Sequence, residues 1–160
     1  MKKTIFITGA TSGIGKATAE IFAKQGHRLI ICGRRKEVLE ALQIQLNNIT
    51  EVYSLVFDVR NQQEVQNAIN SLPKDWKNID VLVNNAGNAH GLEPISEANI
   101  SDWDAMMDGN VKGLLYVSQP IIKLMKARNS GHIVNISSVA ARQTYANGTV
   151  YCASKKAVDV

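Results

Sequence analysis

Thr4-Ile5-Phe6-Ile7-Thr8 runs without a break into Gly9-Ala10-Thr11-Ser12-Gly13-Ile14-Gly15, and the reading of this junction decides the fold. The first five residues are a short apolar run of strand length, closed by glycine. From Ile14 the pattern changes. Ile14, Ala17, Ile21 and Phe22 recur at helical spacing, and Gly26 ends the segment as a glycine past a helix C-terminus does. A second apolar run, Arg28–Cys32, follows. Strand, glycine turn, helix and strand form a βαβ unit, whose two strands lie parallel.

The alternation continues along the chain. Further strands are predicted at Val52–Phe57, Ile79–Val83 and His132–Ile136. Val38, Leu39, Leu42 and Leu46 make one helical stripe, and Val65, Ala68, Ile69 and Leu72 make another that Pro73 stops. A longer helix is predicted from near Gly109 to Lys126, interrupted or kinked around Pro120. A polar stretch, Ser137 to Thr149, leads to a last helix opening at Tyr151. Strands alternating with helices imply an α/β protein with helices on both faces of a parallel sheet.

At 160 residues, 45% of them hydrophobic, the chain suits one domain with its own core and is short for two. Its formal charge of +4 is scattered, without the dense basic block of a nucleic-acid arm, so no nucleic-acid partner is expected. No apolar run approaches the ~18 residues that cross a bilayer. Met1-Lys2-Lys3 leads into a strand rather than a signal-peptide core, and a soluble, cytoplasmic protein is expected. Cys32 and Cys152 lack metal or CxxC spacing and read as reduced structural thiols. His27, His90 and His132 are scattered, and Glu93, Asp102, Asp104 and Asp108 lack EF-hand order; they read as a solvated face, and no metal is expected. No nucleophile elbow occurs. Trp76 and Trp103 read as packing residues.

The glycine turn stands where a phosphate-binding turn must stand, between a strand and a helix N-terminus whose N–H groups are unpaired. Its spacing, G-x-x-x-G-x-G, differs from the G-x-G-x-x-G fingerprint. The second strand ends in Gly33-Arg34-Arg35, where an NAD binder would place a carboxylate. Two guanidiniums there suit a ribose 2′-phosphate and point to NADP; the alternative is a solvated helix start. Tyr151 and Lys155 are four apart at a helix start, so their side chains share a face. An ammonium near a phenol favours the phenolate, which makes such a tyrosine a usable general acid and base.

With Asp58-Val59, Asn84-Asn85-Ala86-Gly87, Asn110, Asn135-Ile136-Ser137-Ser138 and Tyr151-Cys152-Ala153-Ser154-Lys155 added, the sequence resembles the short-chain dehydrogenase/reductase family from Thr4 to its final residue. The resemblance implies a single Rossmann domain over residues 1–160, a three-layer doubly wound parallel sheet incomplete at its C-terminal end. It implies hydride transfer between NADP and a small hydroxy or keto substrate. Gly9, Ala10, Thr11, Ser12, Gly13, Ile14 and Gly15 would then hold the cofactor with Arg34 and Arg35. Asp58 and Val59 would meet the adenine, and Asn85, Ala86 and Gly87 would lie against the cofactor. The implied catalytic set is Asn110, Ser138, Tyr151 and Lys155: Ser138 holds the substrate oxygen, Lys155 also binds the nicotinamide ribose, and Asn110 positions a relay water. Ser138 is preferred to Ser137 because the family's serine stands thirteen before the tyrosine, and 151 − 13 = 138.

Gly33-Arg34-Arg35, Asp58-Val59-Arg60-Asn61, Leu72-Pro73-Lys74-Asp75-Trp76, Asp102-Trp103 and Val150-Tyr151 look like the NADP-dependent 3-hydroxy acid dehydrogenases, which act on serine and allo-threonine. A general carbonyl or 3-oxoacyl reductase, or a non-catalytic dinucleotide-binding module, stays open. The family implies a homo-oligomer, often a tetramer. Five strands are counted where such a fold normally has six, so the chain is expected to be part of a longer polypeptide and inactive alone.

Overall fold

The computed structural model describes residues 1–159. Strands β1 (Thr4–Thr8), β2 (Arg28–Gly33), β3 (Val52–Val56), β4 (Val81–Asn84) and β5 (His132–Asn135) form one wholly parallel sheet in the order β3-β2-β1-β4-β5. Helices α1 (Gly13–Lys24), α2 (Lys36–Asn47), α3 (Gln62–Asn70), α4 (Ile100–Met106), α5 (Gly113–Ala127) and α6 (Thr149–Val158) complete the chain.

The period-two alternation of β1 assigns its residues to two cores. Ile5 and Ile7 lie level with Leu29 and Ile31 of β2, and this face packs on Ala19 and Ala23 of α1 and Leu39, Leu42 and Leu46 of α2. Phe6, Ile30 and Leu82 point the other way, against Val65 and Ile69 of α3 and Val117, Ile121 and Met125 of α5. All five β1 residues are buried, which explains why that strand has no polar face to read. β3 and β5 are the edges, and on β5 His132, Ile133 and Asn135 are exposed. Trp76 packs as expected, 5.5 Å from the Tyr53 ring and with the Arg28 guanidinium 4.1 Å above it.

The strand ends otherwise fall within one residue of the sequence expectation, and three boundaries differ by two residues or more. β4 begins at Val81, not Ile79, because Asp80 is used to anchor the sheet: its N–H donates to the Thr4 carbonyl, and its Oδ2 accepts from the Thr4 N–H at 2.8 Å. Ile79 is buried without joining the ladder. The long helix starts at Ile100 rather than Gly109, capped by Asn99, whose side chain accepts from the Ser101 N–H. It departs from α geometry not at Pro120, which α5 carries without interruption, but in a π-helical turn over Met107–Lys112. Such widened turns recur at functional sites. Here the turn buries Gly109 and Asn110. The last helix begins at Thr149, two residues before Tyr151.

Candidate active site

Connections after β1 and β4 leave the sheet in opposite directions, so their C-terminal ends diverge and open a crevice, as in other doubly wound sheets. This cleft has a volume of about 710 Å³. Gly9 has φ +65°, and a β-carbon there would stand 2.9 Å from Asn85 Nδ2 and 3.0 Å from Ala86 Cα. A β-carbon on Gly15 would overlap the Gly9 carbonyl oxygen. Glycine at these two positions therefore lets the turn pack directly against the loop after β4 and the start of α1, where a side chain would collide. Ser12, extended at the N-cap of α1, makes no capping hydrogen bond, so the helix N–H groups stay available to an anion. Thr11, Ser12 and Ile14 line the cleft. Ala10 lies beneath it, fully buried, with its N–H donating to the Cys32 carbonyl; Gly13, at φ +53°, turns the chain into α1.

Arg34 and Arg35 line the next part of the wall, with Asp58 and Val59 opposite. Arg35 Nη2 donates to Thr11 Oγ1 at 2.9 Å, bracing the glycine turn. Arg34 Nη1 is 3.7 Å from Asp58 Oδ2. Arg60, not singled out as a site residue from sequence, lines the same wall and is bonded to Asp58, with Nη2 2.6 Å from Oδ2. Burial works to raise the Asp58 carboxyl, but the hydrogen bonds and charge of Arg60, with lesser help from Arg34, outweigh it and hold the group below the usual carboxylate range. Three guanidiniums against one carboxylate leave this end of the cleft positive, the balance a phosphate requires.

The other end is built from β4, the π turn and α6. The Thr8 hydroxyl accepts from the Asn85 and Ala86 N–H groups at 2.9 and 2.8 Å, laying Asn85, Ala86 and Gly87 against the glycine turn. Asn110 Oδ1 accepts from the Asn88 N–H at 2.8 Å, and its Nδ2 donates to the Asn88 carbonyl and to Ser154 Oγ, both at 2.9 Å. Ser154 Oγ in turn donates to the Tyr151 carbonyl at 2.8 Å. The amide of Asn110 thus ties three elements together. A β-carbon on Gly87 would lie 2.9 Å from Asn110 Oδ1 and 3.3 Å from Lys155 Nζ, so those groups converge on one point.

Lys155 is only 7% exposed, and its Nζ donates to the Ile136 carbonyl at 3.0 Å. Burial pushes its pKa down from the ordinary lysine value. Among the described residues no carboxylate pairs with it. Tyr151 lines both the main cleft and an adjoining cavity of about 30 Å³. That smaller cavity is also lined by His90, Trp103 and Tyr145, so Trp103, read from sequence as a packing residue, faces a void beside Tyr151. Ser137, the serine set aside on spacing, lines the main cleft and donates to the Lys155 carbonyl at 3.3 Å. Ser138 does not line it; its Oγ accepts from the Ala140 N–H at 3.2 Å, capping a short 3-10 turn over Val139–Ala141. The sequence reading missed Thr8, Asn88 and Ser154 because each acts through hydrogen bonds to groups brought together only by the fold, which no local pattern announces.

Cys32 and Cys152 are buried and free, and burial pushes the Cys32 thiol up. Among the described residues no helix is long and apolar enough to cross a membrane.

A switch-point cleft with a glycine cradle at one end and a Tyr-x-x-x-Lys helix at the other is the arrangement of the short-chain dehydrogenases. Residues 3–160 match the family described as short chain dehydrogenase, and the chain belongs to it. It is 45% identical over 151 residues to an NADP-dependent 3-hydroxy acid dehydrogenase of Escherichia coli O6:H1, covering 94% of this chain and 60% of the relative. It is 42% identical to a serine 3-dehydrogenase of Rhizobium radiobacter, over 97% of this chain and 61% of that protein. The closed form of a serine dehydrogenase complexed with NADP+ superposes with a TM-score of 0.90 at 44% identity, over 96% of this chain and 61% of that one. The chain spans about 60% of the length of the curated relatives it matches.

Proposed function

We propose that the protein is an NADP-dependent oxidoreductase that moves a hydride between the nicotinamide and a small alcohol or carbonyl, with a 3-hydroxy acid such as serine or allo-threonine as substrate. The observation that carries this reading is the position of Tyr151, which lines both the main cleft and the smaller cavity, one helical turn from the buried Lys155. When bound, the cofactor supplies the hydride acceptor or donor. Gly9 to Gly15 and the N-terminus of α1 would hold its pyrophosphate, Arg34 and Arg35 its 2′-phosphate, and Asp58, Val59 and Asn85 to Gly87 its adenosine and nicotinamide flanks.

Tyr151 is assigned the proton transfer to or from the substrate oxygen. Lys155, an ammonium without a carboxylate partner among the described residues, stabilises the anionic form of that side chain and holds the nicotinamide ribose. Ser138 uses its oxygen to accept from Ala140, which leaves its proton free to donate to the substrate oxygen. The two amide protons of Asn110 go to Asn88 and Ser154, so a relay water would have to use the remaining lone pair of Oδ1.

The substrate class rests on the named relatives, and it is tested on the full-length protein with a panel of hydroxy compounds and NADP. L-serine or L-allo-threonine should be oxidised with a higher kcat/KM than carboxylate-free alcohols of similar size. The opposite ranking would replace the 3-hydroxy acid reading with a general carbonyl or 3-oxoacyl reductase. A homo-oligomer is supported by the apolar surface that Met107 and Leu115 leave exposed along the α4–α5 run; the tetramer comes from the family resemblance alone, and light scattering on the full-length protein tests both. A cytoplasmic location is supported by the two free thiols.

A further inference from the structure

Arg60 carries a charge that neither the phosphate cradle nor the Tyr151 chemistry uses. Its guanidinium is turned onto Asp58: Nη2 stands 2.6 Å from Oδ2, Nε stands 3.0 and 3.1 Å from Oδ2 and Oδ1, and the Arg60 N–H donates to Oδ1 at 3.0 Å. The backbone beneath this pair is pinned from both sides. The Asp58 N–H donates to Glu64 Oε2 at 3.0 Å, and a β-carbon on Gly113 of α5 would be 2.8 Å from Val59 Cγ2. Arg34 approaches the same carboxylate at 3.7 Å. Two arginines therefore compete for Asp58, and Arg60 holds the shorter, multidentate contact.

That competition bears on a 2′-phosphate. A carboxylate with its full charge beside Arg34 would occupy the guanidinium meant for the phosphate and repel the dianion itself. We propose that Arg60 is a positioning residue for cofactor choice: by saturating Asp58 it leaves Arg34 free for the 2′-phosphate and cancels the repulsion, and so sets the preference for NADP over NAD. The inference rests on the NADP reading above. The other acids nearby cannot take the place of Asp58 as partner. Asp108 is paired with Lys112 at 2.8 Å, and Glu64 accepts from Asn61 Nδ2 at 2.8 Å and from the Asp58 backbone.

Equilibrium titration of the full-length protein with NADPH and NADH tests this without turnover. Arg60→Ala should weaken NADPH about tenfold while NADH changes by less than about threefold, because the pair is partly exposed and partly screened. Adding Asp58→Asn to Arg60→Ala should bring the NADPH-to-NADH affinity ratio back to within about threefold of wild type, since the stray charge is gone. Arg60→Lys, which keeps the charge but not the fork, should fall between the two and serves if Arg60→Ala does not fold. An unchanged ratio in Arg60→Ala, or equal weakening of both cofactors, would reduce Arg60 to a structural residue. A loss of NADPH affinity that Asp58→Asn fails to restore would make it a direct phosphate ligand instead. Wild-type protein that binds NADH as tightly as NADPH defeats the cofactor reading itself, which is a separate failure.

Discussion

At the Arg34 end of the cleft each group is set by its own strand end: the glycine turn by β1, Arg34 and Arg35 by β2, Asp58 to Arg60 by the chain just past β3. At the Tyr151 end no single strand does this. There, the loop after β4, the π turn and α6 are joined by hydrogen bonds that reach 22 and 44 residues along the chain. The first end is held by a few side-chain pairs between neighbouring strand ends, Arg35 with Thr11 and Arg34 and Arg60 with Asp58, largely in reach of solvent. The second is a buried network in which each member depends on the others, and such networks fail as units. Damage should therefore stay local at one end and spread at the other.

The largest effect expected is at the dependent end. Tyr151→Phe should lower turnover by at least ~10²-fold, the lower end for loss of a general acid, with NADPH affinity nearly unchanged. Steady-state rates and cofactor titration on the full-length enzyme check this, and turnover close to wild type would remove Tyr151 from the chemistry. Next comes the Arg34 end. Arg34→Ala should cost NADPH binding ~1.5–3 kcal/mol, the worth of a charged hydrogen bond, and leave NADH almost untouched. Equal losses for both cofactors would place the phosphate reader elsewhere.

The contrast itself is tested by a pair of variants. Asn110→Ala strands two groups of Asn88 and one of Ser154 and should destabilise by ~1–3 kcal/mol in chemical denaturation. Arg35→Ala, which loses one exposed bond to Thr11, should cost under ~1 kcal/mol. Similar costs would mean that the two ends are not built differently. The smallest effect concerns Lys155. Its pKa in the folded protein lies below the ordinary lysine value, so between the two values the unfolded chain binds more protons and wild-type stability rises with pH. Lys155→Met should be the more stable protein at neutral pH, by a few degrees in Tm at most, and the difference should shrink as pH climbs through that window. A variant less stable than wild type at neutral pH would show that the buried ammonium holds the fold.

The same contrast explains what sequence alone could and could not reveal. The Thr4–Gly15 junction, Arg34-Arg35 and the Tyr151–Lys155 spacing are local patterns, and each was legible with the sheet it implies. Asn88 and Ser154 were not legible, because hydrogen bonds between groups far apart in the chain leave no periodic trace. Apolar periodicity reports burial. It reports nothing about Asp80, whose polar anchor on Thr4 delays β4, and nothing about α4, whose Ile100 is exposed despite its apolar side chain. The π turn was missed for a related reason: one wider turn changes hydrogen bonding without changing composition.

The strand order has a consequence for synthesis as well. β1 needs a partner on each edge. β2 follows after a single helix, but β4 and its anchor come late, with Asp80 lying 76 residues beyond Thr4. At about 5–20 residues per second, the ribosome takes roughly 4–15 s to deliver that second partner. Throughout that interval the nascent chain carries Ile5-Phe6-Ile7 as an unpaired apolar edge, the kind of strand that recruits other chains. The residues most deeply enclosed in the finished protein are thus among the longest unprotected during its birth.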